Sequence, residues 1–180
     1  MPWEFEIWQD DRFVDAGEDL AELERPTDSR CILDASMVEG DEVDAALEAA
    51  AEHKVQGLLL SGATDGHAAA LGAIPSLESL DLTHSAVTDA LFGPVAGLKR
   101  LRSLALRSTK VTGGGLDQLL ETRALRSLDL TGTPLTGDAL RVLGRFLDLR
   151  ELWLDGTPVT GAALGRLSRL SQLERLGLAN

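Results

Sequence analysis

The chain has 180 residues, 44% of them apolar, which suits one folded domain with a sizeable core and excludes a disordered chain. Seventeen Lys and Arg stand against 29 Asp and Glu, a formal net charge of −12, so a general nucleic-acid binder and a binder of anionic membranes are not expected. The single cysteine, Cys31, excludes an internal disulfide and a cysteine-built metal framework. The charge is uneven: residues 1–60 carry 17 acids and 4 bases, and residues 61–180 carry 12 acids and 13 bases. The opening MPWEFEIWQDD has no basic stretch followed by an apolar one, and no run of about 18 apolar residues occurs, so a cytoplasmic protein is expected.

At the start, Trp3, Phe5 and Ile7 alternate with Glu4 and Glu6, which predicts a half-buried strand. Gln9 to Arg12 can turn the chain, and Phe13 and Val14 return it. Glu18 to Glu24 reads as a short acidic helix that Pro26 ends. Residues 1–29 are assigned to an N-terminal cap and residues 30–180 to a repeat domain. Cys31 falls in the first predicted strand of that domain and reads as a core cysteine. Glu39, Asp41, Glu42 and Asp44 lack the spacing of a calcium loop and read as the acidic first turn of a helix, where the macrodipole favours them. His53, His67 and His84 share no metal-like spacing and are expected at the surface.

From residue 77 the chain repeats. LESLDLTHSAVTDALFGPVAGLKR, LRSLALRSTKVTGGGLDQLLETRA, LRSLDLTGTPLTGDALRVLGRFLD and LRELWLDGTPVTGAALGRLSRLSQ begin at Leu77, Leu101, Leu125 and Leu149, in steps of 24 residues. A fifth copy opens at Leu173, the segment from Val55 is the same unit two residues shorter, and a degenerate copy starts at Arg30. Within a unit, Leu128 and Leu130 point to one side of a short strand. A turn follows at T-G-T-P, and Thr136 is placed to cap a helix with its hydroxyl. Leu140, Leu143 and Leu147 recur at helical spacing. One such unit cannot bury its apolar face, but stacked copies can.

This pattern resembles the leucine-rich repeat family over residues 30–180, and its T-x-V-T-G form is similar to bacterial members with helical convex faces. The resemblance implies an α/β fold, a right-handed solenoid arc with parallel strands on the concave face and helices on the convex face. One departure stands out. Where the family carries Asn after the strand, this chain has Ser85, Thr109, Thr133 and Thr157, so a ladder of hydroxyls is expected in place of the asparagine ladder.

No sequence pattern of a catalytic nucleophile, a metal site or a phosphate loop occurs, so the expectation is a binding module without cofactor or metal rather than an enzyme. Gly113, Gly114 and Gly115 could cradle an anion at a helix start, but Gly137 and Gly161 occupy the matching place in other coils. The concave face is the expected partner surface. One row reads Gly57, Ser79, Ser103, Ser127, Glu151, Arg175. The next reads Leu59, Asp81, Ala105, Asp129, Trp153, Gly177, and a third reads Ser61, Thr83, Arg107, Thr131, Asp155, Ala179. Most are small, and Trp153 is the candidate interface anchor, or else a shield over its neighbours. Arg102, Arg126 and Arg150 should form a column of like charge, open to an anionic partner or paired with Asp81, Asp129, Glu151 and Asp155. The expected function is an adaptor or scaffold that binds a protein partner. The alternatives are a stoichiometric inhibitor or immunity-type protein of a basic partner, and a regulatory subunit of an enzyme such as a protease or small GTPase. A monomer, or a weak homodimer through the edge at Leu173, Leu176 and Leu178, is expected.

Overall fold

The computed structural model describes residues 3–9, 12–17, 29–159 and 161–179. The acidic helix predicted over Glu18 to Glu24 lies outside them. Among the described residues nine strands form one sheet, in the order β2-β1-β3-β4-β5-β6-β7-β8-β9. The alternating start makes β1 (Glu4–Gln9), which turns back as β2 (Arg12–Gly17). These two pair antiparallel, and β1 pairs antiparallel with β3 (Arg30–Asp34) on its other side. Trp3 and Phe5 of this segment are buried.

From β3 onward all pairing is parallel, through β4 (Gly57–Leu59), β5 (Ser79–Asp81), β6 (Ser103–Ala105), β7 (Ser127–Asp129), β8 (Glu151–Trp153) and β9 (Arg175–Gly177). Parallel neighbours need a crossover, and each unit supplies one on the far side. These crossovers hold α1 (Glu42–Glu52), α2 (Ala68–Gly72), α3 (Phe92–Val95), α4 (Gly137–Leu143) and α5 (Gly161–Leu164). Between α3 and α4 the chain takes a 3-10 turn at Leu116–Glu121 instead. No helix among the described residues is long and apolar enough to cross a membrane.

The register is one unit per strand. Ser79 faces Ser103, Ser103 faces Ser127, Ser127 faces Glu151 and Glu151 faces Arg175. Gly57 faces Ser79 across only 22 residues, and the leucines stay aligned, Leu58 against Leu80. The two missing residues come out of the turn after β4, where Leu60 to Thr64 replaces the longer Leu82 to Thr88.

Leu80, Leu104, Leu128 and Leu152 are buried, as are Leu82, Leu106, Leu130 and Leu154 and the leading Leu77, Leu101, Leu125 and Leu149. Burying one such side chain stabilises by about 1.5–3 kcal/mol, and each row obtains its cover from the coils on either side. In the fifth copy Leu176 and Leu178 are exposed, while Leu173 is partly buried against the core.

Three local expectations change. Leu147 is 51% exposed, because α4 ends at Leu143 and the stripe does not continue past Gly144. Thr136 is the cap residue of α4, yet its hydroxyl makes no capping bond and donates instead to the Thr112 carbonyl of the previous coil, at 3.3 Å. The hydroxyl column is buried and stacked, but it is not an inter-coil ladder. Thr109, Thr133 and Thr157 donate to the carbonyls of Leu106, Leu130 and Leu154, three residues back in their own coils, at 2.8, 2.6 and 2.6 Å. A hydroxyl is too short to reach the next coil as an amide does. The Ser85 hydroxyl is buried without a partner. Serine lacks the second branch that restricts a threonine's χ1, so nothing forces its oxygen toward Leu82.

Candidate functional site

The outward residues of β4 to β9 make the concave face, and their side chains mainly serve the strands. The Asp81 carboxylate accepts the Thr83 amide at 2.8 Å, and Asp129 accepts the Thr131 amide at 2.8 Å. These short loops fix the end of each strand. Arg107 lies 3.6 Å from Asp129 across the strand spacing. Glu151 accepts the Ser127 hydroxyl at 3.0 Å and also bonds the Arg175 guanidinium. Asp155 accepts the Ala179 amide. The Thr131 hydroxyl is buried without a partner. The face places Ser103, Ser127, Asp129, Thr131, Glu151, Trp153 and Asp155 side by side, with its charges largely engaged.

Trp153 is half-buried. Its ring lies over Gly177 of β9, so close that a Cβ there would come within 2.5 Å of Trp153 Cε3. The indole therefore shields the last strand with one surface and leaves the other accessible.

Arg126 and Arg150 sit apart from this face, on the rim where the strands begin, with Arg102. Their partners differ from those expected. Arg102 is 3.9 Å from Glu78, Arg150 is 3.3 Å from Glu174, and Arg126 donates to the carbonyls of Arg123 and Leu125 at 2.8 and 2.9 Å. Asp81, Asp129, Glu151 and Asp155 are not used by the column.

The Gly113–Gly115 stretch does cradle an anion, but the anion is the protein's own. The Asp89 carboxylate, one coil earlier, accepts the amides of Thr112, Gly113 and Gly114 at 2.9, 3.0 and 3.1 Å, together with the Thr112 hydroxyl. Asp65 does the same for the Thr88 amide and hydroxyl, at 2.8 and 2.7 Å. Sequence reading missed this pair. The signal was Thr-Asp at 64–65 and 88–89, where later units have Thr-Gly.

The remaining candidates are structural. Cys31 is fully buried in β3. His67 Nδ1 accepts the Thr64 amide at 3.0 Å and closes a capping box, where a Glu or Gln usually stands. His53 is half-buried, edge-on to Phe5 with ring centroids 5.0 Å apart. His84 is exposed. Glu42 and Asp44 form the acidic first turn of α1, as expected, with Asp41 as the cap residue. Among the described residues no group of three or more His, Cys, Asp or Glu could hold a metal ion.

No family model matches the chain, and no curated protein does. Solved structures do. Internalin C2 of Listeria monocytogenes aligns with a TM-score of 0.50 and 21% identity, over 69% of this chain and 62% of its own. The Listeria internalin inlF aligns at 0.46 and 19%, over 68% and 39%. A leucine-rich repeat protein of Leptospira interrogans aligns at 0.46 and 18%, over 70% and 36%. This chain spans less than two thirds of each, and at such identities the likeness is one of fold. With the strand ladder, the buried leucine rows and the outer crossovers, the likeness to internalin C2 makes the chain a leucine-rich repeat protein in fold.

Proposed function

We propose that the chain is a non-catalytic interaction module that takes a protein partner on its concave face. One observation carries the reading. Short side chains on β5 to β7, among them Ser79, Ser103, Ala105 and Ser127, lie on the same face as a half-exposed tryptophan on β8. A partner can approach the strands closely there, and Trp153 offers the kind of rigid aromatic surface on which binding energy concentrates. In this reading the β1–β2 hairpin covers the first coil, whose core a solenoid would otherwise leave open.

The test begins with a partner captured from the native host and identified by mass spectrometry, then measured as a purified protein. Trp153→Ala should weaken its binding by about 1–2 kcal/mol. Arg at both Ser103 and Ser127 should block it. Unchanged affinity in both variants would remove the concave face as the site.

A second reading rests on α1. Its Glu42, Asp44, Glu48 and Glu52 are exposed, and its last turn has no base. That surface suits a stoichiometric inhibitor of a basic partner, with the attraction speeding encounter. An association rate that falls steeply with salt, and that drops on neutralising Glu48 and Glu52, would favour it over the concave face.

A further inference from the structure

The rim where the strands begin carries a charge pattern that neither reading uses. Glu78, Arg102, Arg126, Arg150 and Glu174 hold the same position in five successive coils. Their backbones are tied in sequence. The amide of Arg102 donates to the Glu78 carbonyl at 2.7 Å, Arg126 to Arg102 at 2.8 Å, Arg150 to Arg126 at 2.7 Å and Glu174 to Arg150 at 2.8 Å. Three arginines therefore start one strand spacing apart, about 4.8 Å.

Their compensation is incomplete. Glu78 is shared, 3.9 Å from Arg102 and 2.7 Å from Arg100, and Glu174 serves only Arg150. Arg126, in the middle, has no carboxylate within 4.0 Å among the described residues. Both of its bonds to carbonyls come from Nη1, so Nε and Nη2 still have hydrogens to donate. Arg102, Arg126 and Arg150, with the small Ala124 between coils, line an open cleft of about 360 Å³. Residues 96–150 hold ten bases and five acids, in a chain whose net charge is −12.

We propose that Arg102, Arg126 and Arg150 form a docking site for a short acidic helical segment of a protein partner, its carboxylates bridging neighbouring guanidinia. The shape is a row rather than a cup, so a single phosphate would meet two arginines at most. Acidic residues three or four apart on a helix have Cβ atoms about 5–6 Å from each other, close to the coil spacing. Guanidinium and carboxylate match as paired forks, a geometry that lysine lacks. Glu78 and Glu174 close the row at both ends and limit the segment to a few acidic side chains. This site is additional to the concave face, and its test needs no natural partner, so either can fail alone.

The probe is a fluorescein-labelled, alanine-based helical peptide with glutamates at four-residue intervals, compared by anisotropy with its glutamine counterpart. The glutamate peptide should bind the wild-type chain and the glutamine peptide should not, with affinity falling as salt rises. Arg126→Gln should weaken binding about tenfold. Arg126→Lys should restore only part of it, and Arg141→Gln, on α4, should change nothing. Circular dichroism shows whether each variant is folded, and Arg150→Gln serves if Arg126→Gln is not. Equal binding by wild type and the folded glutamine variants would overturn the proposal. A phosphoserine counterpart that binds more tightly than the glutamate peptide would overturn the carboxylate assignment in favour of a phosphate-bearing ligand.

Discussion

On the strand side, every coil from β5 to β9 repeats one bonding scheme, whereas the turn side changes from coil to coil. The strand side keeps leucine over leucine and one 24-residue step. On the turn side, α3 is four residues long, the next coil has a 3-10 turn, and α4 runs for seven. Asp65 and Asp89 tie two coils to their successors, and a threonine hydroxyl ties the next. The difference follows from geometry. Parallel strands share hydrogen bonds along their length, so one misplaced residue disrupts both neighbours. The crossovers share single backbone bonds, as from Ala86 to Ala63, Lys110 to Val87 and Thr136 to Thr112, and otherwise meet through side chains, which can fill the same volume in several ways.

The largest expected effect tests that contrast. Leu104→Ala should destabilise by about 2–5 kcal/mol in chemical unfolding, because the leucine is buried between two others. Leu147→Ala, on the turn side, should cost almost nothing. If the two losses were alike, the strand side would not be the stiffer element.

Asp89→Ala comes next, at about 2 kcal/mol, since it leaves several donors of the following coil without their acceptor. Amide exchange should rise first at Thr112 and Gly113 and leave β6 protected. Exchange rising equally throughout would show that the turn side is as cooperative as the sheet.

A finer comparison uses one position in four coils. His84, Ser108, Gly132 and Gly156 all have positive φ, between 54° and 66°, and their amides donate to the carbonyls of Arg107, Thr131, Asp155 and Ala179. A side chain in this left-handed conformation costs about 1 kcal/mol. Ser108→Gly should therefore raise the melting temperature and Gly132→Ala should lower it. The smallest effect concerns the hydroxyl column. Thr133→Val should cost about 1 kcal/mol by removing its bond to Leu130, whereas Ser85→Ala, which removes a buried hydroxyl without a partner, should be neutral or stabilising.

The repeat was legible because its strand half is written in leucines at fixed spacing, and burial follows directly from the resulting alternation. The T-G-T-P turn was expected, but not the left-handed residue within it, which is Gly132 and Gly156 in two coils and His84 and Ser108 in two others, since the backbone there is set by the neighbouring coil rather than by local preference. The partners of Arg102 and Arg150 were misjudged for a similar reason. Glu78 and Glu174 hold the same position as the arginines, and stacking made them neighbours before any acid on the concave face could reach. Asp89 spans 24 and 25 residues to the glycines it binds, a separation that single-coil reading does not cover. Trp153 stands out in the sequence as a large side chain among small ones, but its place over Gly177, where a Cβ would collide with the ring, shows only once the coils are stacked.

The unbroken register has a hereditary consequence. Because each strand meets its neighbour through equivalent atoms, excision of residues 101–124 by unequal recombination would join Arg100 to Leu125 and bring β5 beside β7. Ser79 would then face Ser127, and Leu80 would face Leu128, much as Ser79 and Leu80 now face Ser103 and Leu104. On the outer side Asp89 would meet Thr136 and Gly137 where Thr112 and Gly113 stand now. Length in this molecule is thus an adjustable quantity that changes in whole coils, and the 22-residue coil after β4 shows that even a fractional change is absorbed when it falls in the turn.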